Sequence, residues 1–91
     1  MKKSRKKILM YGAFWCPDTH AAAKTLKKLG IPYIAKAVEN PATYAELSRI
    51  VGSKEIRRPT IFFPDGTRLI EPNNRELRAK IKSLKEQGFL K

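Results

Sequence analysis

Ile8-Leu9-Met10-Tyr11-Gly12-Ala13-Phe14-Trp15-Cys16-Pro17-Asp18-Thr19 joins a strand signal directly to a helix signal, with the chain's single cysteine between them. Ile8 to Tyr11 is a continuous apolar run without helical spacing, which suits a central strand buried on both faces of a mostly parallel sheet. Gly12 to Cys16 interrupts it. Pro17 then takes a position favoured in the first turn of a helix, because its missing N–H would have no intrahelical partner there. That helix is expected to run to Leu29 and close on Gly30. Cys16 therefore falls at a helix N-terminus, among unpaired backbone N–H groups and at the positive end of the helix dipole.

Tyr33 to Val38 forms a second strand signal, opened by Pro32 and ended by the turn residues Asn40 and Pro41. Strand, helix, strand in this order implies a right-handed crossover. Tyr44, Leu47, Ile50 and Val51 recur at helical spacing, which predicts a second helix from about Ala42 to Val51 stopped by Gly52. Arg57, Arg58 and Pro59 lead into a short strand, Thr60 to Phe63. Pro64-Asp65-Gly66 then turns the chain into an antiparallel partner, Thr67 to Ile70. Leu77, Ile81 and Leu84 put one apolar stripe on a last helix, about Asn74 to Gln87, whose other face carries Arg75, Arg78, Lys82 and Lys85. The predicted order is β-α-β-α-β-β-α, an α/β fold with a four-stranded mixed sheet flanked by three helices.

With 91 residues, 42% of them apolar, the chain supplies one small core. Residues 1–7 form a basic leader and 8–91 a single domain of modest stability. Twenty Lys and Arg against eight Asp and Glu give a net charge of +12. That balance excludes an acidic solvating tail and favours anionic partners. One cysteine excludes an internal disulfide and an all-cysteine metal cluster within one chain, and suggests a reducing compartment. The leader, the apolar run and Cys16 superficially resemble a lipoprotein export signal. The run is barely long enough, however, and Trp15 stands where cleavage requires a small side chain. No stretch reaches the roughly 20 apolar residues of a membrane span. A cytoplasmic monomer without a membrane partner is expected.

Only a thiolate is a good nucleophile toward disulfides, and a helix N-terminus lowers a thiol pKa. Trp15 and Pro17 are expected to hold Cys16 at an exposed junction. Asp18 opposes the effect on the thiol, whereas Lys6, Lys7, Arg57 and Arg58 support it if the fold brings them near. A lone cysteine is more commonly a small buried hydrophobe, but the helix start and its neighbours point to reactivity. Thr19 reads equally as a hydrogen-bond donor to the Cys16 sulfur or as a cap on backbone groups. His20 reads as a solvated or partly packed side chain, since no second histidine completes a metal site. Pro59, from the residues alone, is either the start of an edge strand or a cis proline. Nucleic-acid binding is expected to be nonspecific at most, because no aromatic platform interleaves with the basic residues.

Phe14-Trp15-Cys16-Pro17-Asp18, Pro59-Thr60-Ile61-Phe62-Phe63-Pro64-Asp65-Gly66 and Glu71-Pro72-Asn73-Asn74-Arg75-Glu76-Leu77 resemble, in order and spacing, the glutaredoxin branch of the thioredoxin-fold superfamily. The likeness is to bacterial glutaredoxin-like proteins and mycoredoxins, and spans nearly all of the chain after residue 6. It implies that Cys16 attacks the disulfide and that Pro59 is cis and packs beside it. It also implies that the Arg58 backbone contacts the cysteinylglycine part of glutathione, with Tyr11 and Lys7 near the same groove. The substrate-binding set is then Lys7, Tyr11, Trp15, Pro17, Thr19, Arg57, Arg58, Pro59 and Asn74.

This chain departs from the family pattern at several positions. Thr19 replaces the second cysteine, making the protein monothiol. Glu71-Pro72 replaces a double glycine, and Asn74 replaces the acidic residue that meets the amino group of glutathione. Arg57 and Arg58 replace small or apolar residues, which favours an acidic thiol or protein surface. The expected activity is reduction of small-thiol mixed disulfides on proteins. Glutathione or another low-molecular-weight thiol would serve as co-substrate, with no bound cofactor or metal. The alternatives are a redox-inactive binding module for an acidic partner, and a dimeric iron-sulfur carrier.

Overall fold

The computed structural model describes residues 7–90. The basic leader, apart from Lys7, lies outside the described residues. The chain runs β1 (Ile8–Gly12), α1 (Pro17–Lys28), β2 (Tyr33–Ala37), α2 (Pro41–Val51), a 3-10 turn (Ser53–Glu55), β3 (Thr60–Phe62), β4 (Arg68–Ile70) and α3 (Asn74–Glu86). The four strands form one mixed sheet in the order β2-β1-β3-β4. β1 pairs parallel with β2 and antiparallel with β3, and β3 pairs antiparallel with β4. This is the expected α/β architecture, a thioredoxin-like fold.

β1 is central, which explains its unbroken apolar sequence. Ile8 and Met10 point to one face, packing with Ala22 and Leu26 of α1 and Leu77, Ile81 and Leu84 of α3. Tyr11 belongs to a second cluster on the other face, with Val38, Leu47 of α2 and Cys16. Leu26, Leu47, Ile61 and Leu84 have no exposed surface. Truncating any of them to alanine is expected to cost about 2–5 kcal/mol.

Asn40 and Pro41, read as turn residues, open α2 instead. The Asn40 side chain accepts the Ala42 N–H at 2.8 Å, and Pro41 occupies the first turn where its missing N–H costs nothing. α3 begins with a capping box, in which Asn73 and Glu76 each accept the other's backbone N–H at 2.8 Å. The hairpin strands are each one residue shorter than expected. Phe63 and Thr67 instead close the turn, the Phe63 N–H donating to the Thr67 carbonyl at 2.9 Å. Asp65 holds that turn to α3 through Lys80, at 2.6 Å. Among the described residues no helix is long and apolar enough to cross a membrane.

Candidate active site

The loop after β1 turns sharply, the Cys16 N–H donating to the Ala13 carbonyl at 3.1 Å. Cys16 is the N-cap of α1, its backbone extended and its side chain making no cap hydrogen bond. The sulfur faces the loop before β3, where the thiol donates to the Arg58 carbonyl at 3.9 Å. The bond between Arg58 and Pro59 is cis, and Pro59 is buried. The loop before β3 thus meets the start of α1 at Cys16, because β1 and β3 are neighbours in the sheet.

Cys16 is not exposed as the sequence suggested; only 8% of its surface is accessible. It is packed among Tyr11, Ala13, Val38 and Leu47 while Phe14 and Trp15 take the solvent positions, 76% and 63% exposed. The Arg58 guanidinium lies over the Trp15 ring, 4.7 Å from its centre. Trp15 and Arg58 therefore pair on the two segments that meet at Cys16, and Pro17 sits exposed beside them.

Thr19 caps the backbone rather than the sulfur. Its hydroxyl accepts the Ala13 N–H at 3.2 Å, and its methyl and hydroxyl lie so close to Gly12 that a β-carbon there would come within 2.5 Å of Cγ2. His20, exposed one turn into α1, bonds the Phe14 carbonyl. Glu39 accepts the Phe14 N–H at 2.8 Å, so groups from α1 and from the loop after β2 both hold this turn. No local motif marks the contact between Phe14 and Glu39, because it follows from the pairing of β1 with β2.

Three members of the expected binding set have contacts of their own elsewhere in the fold. Lys7 precedes the far end of β1, five strand residues from Gly12, a span of about 16 Å at the usual rise. There it borders an apolar recess with Leu9, Ile50 and Phe62. Tyr11 is 1% exposed and its hydroxyl donates to Glu46. Burial and then that carboxylate raise its pKa to about 12. Glu46 is held below the ordinary range by this bond and by Lys36, 2.9 Å away. Tyr11 is thus a core and anchoring residue, tying β1 to α2. Asn74 accepts a hydrogen bond from the Thr25 hydroxyl at 2.6 Å, so its side chain joins α3 to α1.

Arg57 and Glu71 face each other at 4.0 Å, both substantially exposed. Glu71 has a left-handed backbone, φ 49°, and its N–H donates to the Pro59 carbonyl at 2.8 Å. That conformation suits glycine better than a residue with a side chain, so Glu71 is strained there. Its carboxylate offsets part of the positive charge that Arg57 and Arg58 bring to the site.

No family model matches the sequence, and no curated protein matches it. Among solved structures the fold is similar to the X-ray structure of a Northeast Structural Genomics target protein, XcR50, from X. campestris. The two share 20% identity over 84% of this chain and 96% of that one, with a TM-score of 0.62. At that identity the likeness shows the fold alone.

Proposed function

We propose that this chain is a monothiol, glutaredoxin-like thiol-disulfide oxidoreductase acting through Cys16. The observation that carries the proposal is the position of the cysteine. It is the N-cap of a 12-residue helix, its sulfur turned to the carbonyl that precedes Pro59. The first-turn N–H groups of α1 beside it are unclaimed by any cap side chain. The Cys16 thiolate attacks the small-thiol sulfur of a protein mixed disulfide. A bond forms from Cys16 to the small thiol, the old S–S bond breaks, and the protein leaves as a thiolate that takes up a proton. A second small-thiol molecule, as thiolate, then attacks the adduct. It departs as the small-molecule disulfide, having supplied the two electrons, and Cys16 is again a thiolate. Thr19 offers no second sulfur, so the adduct waits for the external thiol.

The test is mass spectrometry of the intact protein after exposure to glutathione disulfide and to other low-molecular-weight disulfides, followed by turnover of a glutathionylated protein. A single adduct on Cys16, with turnover lost in Cys16→Ser, is the expected result. Absence of any adduct, or turnover unchanged in Cys16→Ser, refutes it. One observation favours a redox-inactive binding module instead, namely that Cys16 is only 8% exposed. An unreactive thiol in the same experiment supports that reading.

A further inference from the structure

We propose that the sheet face beside α2 binds an amphipathic helix of a partner protein, one that lays apolar side chains on the sheet and carries Asp or Glu along their flanks. The site is separate from Cys16. Strand register defines its floor. Ile34 of β2, Leu9 of β1, Phe62 of β3 and Arg68 of β4 are successive cross-strand partners, so their side chains form one row on one face of the sheet. Tyr11 lies two residues beyond Leu9 on β1 and so on the same face, where it packs with Leu47 of α2 and bonds Glu46. Ile8 and Met10, on the opposite face, belong to α1 and α3.

α2 covers only part of its face. Glu46 holds Tyr11 and Lys36, which are partners in the adjacent row. Over the row that contains Leu9, an open recess of about 340 Å³ remains, lined by Lys7, Leu9, Tyr11, Ile50, Phe62 and Phe63. Leu9 and Phe62 are half-buried, while Ile34 is 43% and Ile50 49% exposed. Cations border this apolar floor. Lys7 lines the recess, and the Arg68 guanidinium lies 6.0 Å from the centre of the Phe62 ring. Neither belongs to an ion pair among the described residues. Glu46 is engaged by Tyr11 and Lys36, and Asp65 by Lys80, so an acid meeting Lys7 and Arg68 has to come from a partner.

The shape of the floor selects a helix. Adjacent strands lie about 4.8 Å apart, and a helix advances about 5.4 Å per turn. Apolar residues at i, i+4 and i+7 of a helix laid across the strands therefore reach Ile34, Leu9 and Phe62 in turn. A small amphiphile would keep its outer side in water on so open a floor, whereas ligand pockets bury most of what they hold. A flat bilayer would meet α2 first, since a helix about 10 Å across stands beside the row. A second copy would bring another Lys7 and Arg68, and a second charge of +12, against the first.

The test is an NMR titration of the isotope-labelled, full-length protein at about 100 mM salt. The probe is a capped synthetic helix of about 15 residues, with leucines at i, i+4, i+7 and i+11, glutamates on both flanks and alanine elsewhere. A Kd of about 100 μM or tighter is expected, with the largest shifts at Leu9, Ile34, Ile50 and Phe62. A peptide of the same composition with its leucines scattered around the helix, and one with lysine for glutamate, should each bind at least about tenfold more weakly. In the protein, Lys7→Glu with Arg68→Glu should weaken binding at least about tenfold relative to a control of equal charge, Lys27→Glu with Arg78→Glu. Ile34→Ser with Ile50→Ser, both at exposed positions, should weaken it at least about fivefold. No binding by the leucine–glutamate peptide overturns the proposal. So do shifts spread over α1 and α3, equal losses in the two charge variants, or full binding by the serine variant, since each describes an acidic peptide adhering to a basic protein. Sedimentation and phosphatidylserine vesicles are run in parallel. Self-association or vesicle binding that the serine variant abolishes would assign the row to a second copy or to a membrane, and the proposal fails.

Discussion

The guanidinium of Arg58 lies 4.7 Å from the centre of the Trp15 ring, while the carbonyl of the same arginine receives the Cys16 thiol at 3.9 Å. One residue thus meets the cysteine through its backbone and pairs with the cysteine's neighbour through its side chain. A partly exposed cation–π pair is worth about 0.5–1 kcal/mol. If its effect is to cover the thiol, Arg58→Ala should raise the rate of Cys16 alkylation by iodoacetamide about 2- to 5-fold at neutral pH. A fall in that rate would show that the positive charge matters more to the sulfur than the cover does.

Gly12 and Thr19 are matched by size. A β-carbon on residue 12 would lie 2.5 Å from Thr19 Cγ2 and 2.7 Å from its Oγ1. Gly12→Ala is expected to destabilise the fold by about 1–3 kcal/mol through overpacking. Adding Thr19→Ala should recover part of the loss, giving a coupling of about 0.5 kcal/mol or more in a double-mutant cycle of urea unfolding. Strict additivity would mean that the loop relaxes away from α1 without cost.

Asp65 predicts a pH dependence. Partial burial works against its charge, but the Lys80 ammonium and the Thr67 hydroxyl and N–H outweigh this and lower its pKa from 3.8 to about 2. Because the folded value is depressed, the stabilisation is fully present above the unfolded pKa. It is lost as pH falls from about 4 through about 2. The stability difference between wild type and Asp65→Asn should be constant near neutrality and shrink in that acid window. Glu46 remains in both proteins and its effect cancels. A difference that stays constant down to pH 2 would mean that the carboxylate's charge contributes nothing.

Thr19→Cys tests the monothiol mechanism. Positions 16 and 19 lie about one helical turn apart, and a thiol at 19 would attack a Cys16 mixed disulfide at high effective concentration. Reduction of a protein disulfide should appear or rise with the same external reductant. Mild oxidation should consume both thiols. The substitution also removes the hydroxyl that accepts the Ala13 N–H, so a small loss of stability, about 1 kcal/mol, is expected. Two thiols that remain free under oxidant would show that a side chain at 19 stays turned toward Gly12 and away from Cys16.

Where local chemistry suffices, the sequence by itself determined the outcome. An unbroken Ile8–Tyr11 run needs two apolar faces, Pro17 starts a helix because it has no N–H to lose, and Leu77, Ile81 and Leu84 share a stripe through the helical repeat. Those signals yielded the element order and the position of Cys16 at the start of α1. Only the tertiary structure decided what each side chain of the candidate site touches. Cys16 is buried because β1 and β3 are neighbours and bring the Arg58 carbonyl to it. Lys7 is remote because the length of β1 separates it from the loop. Tyr11 and Asn74 are occupied by Glu46 and Thr25, residues 35 and 49 positions away along the chain. Hydrogen bonds over such separations follow from how the sheet and helices pack, and no spacing within a motif records them.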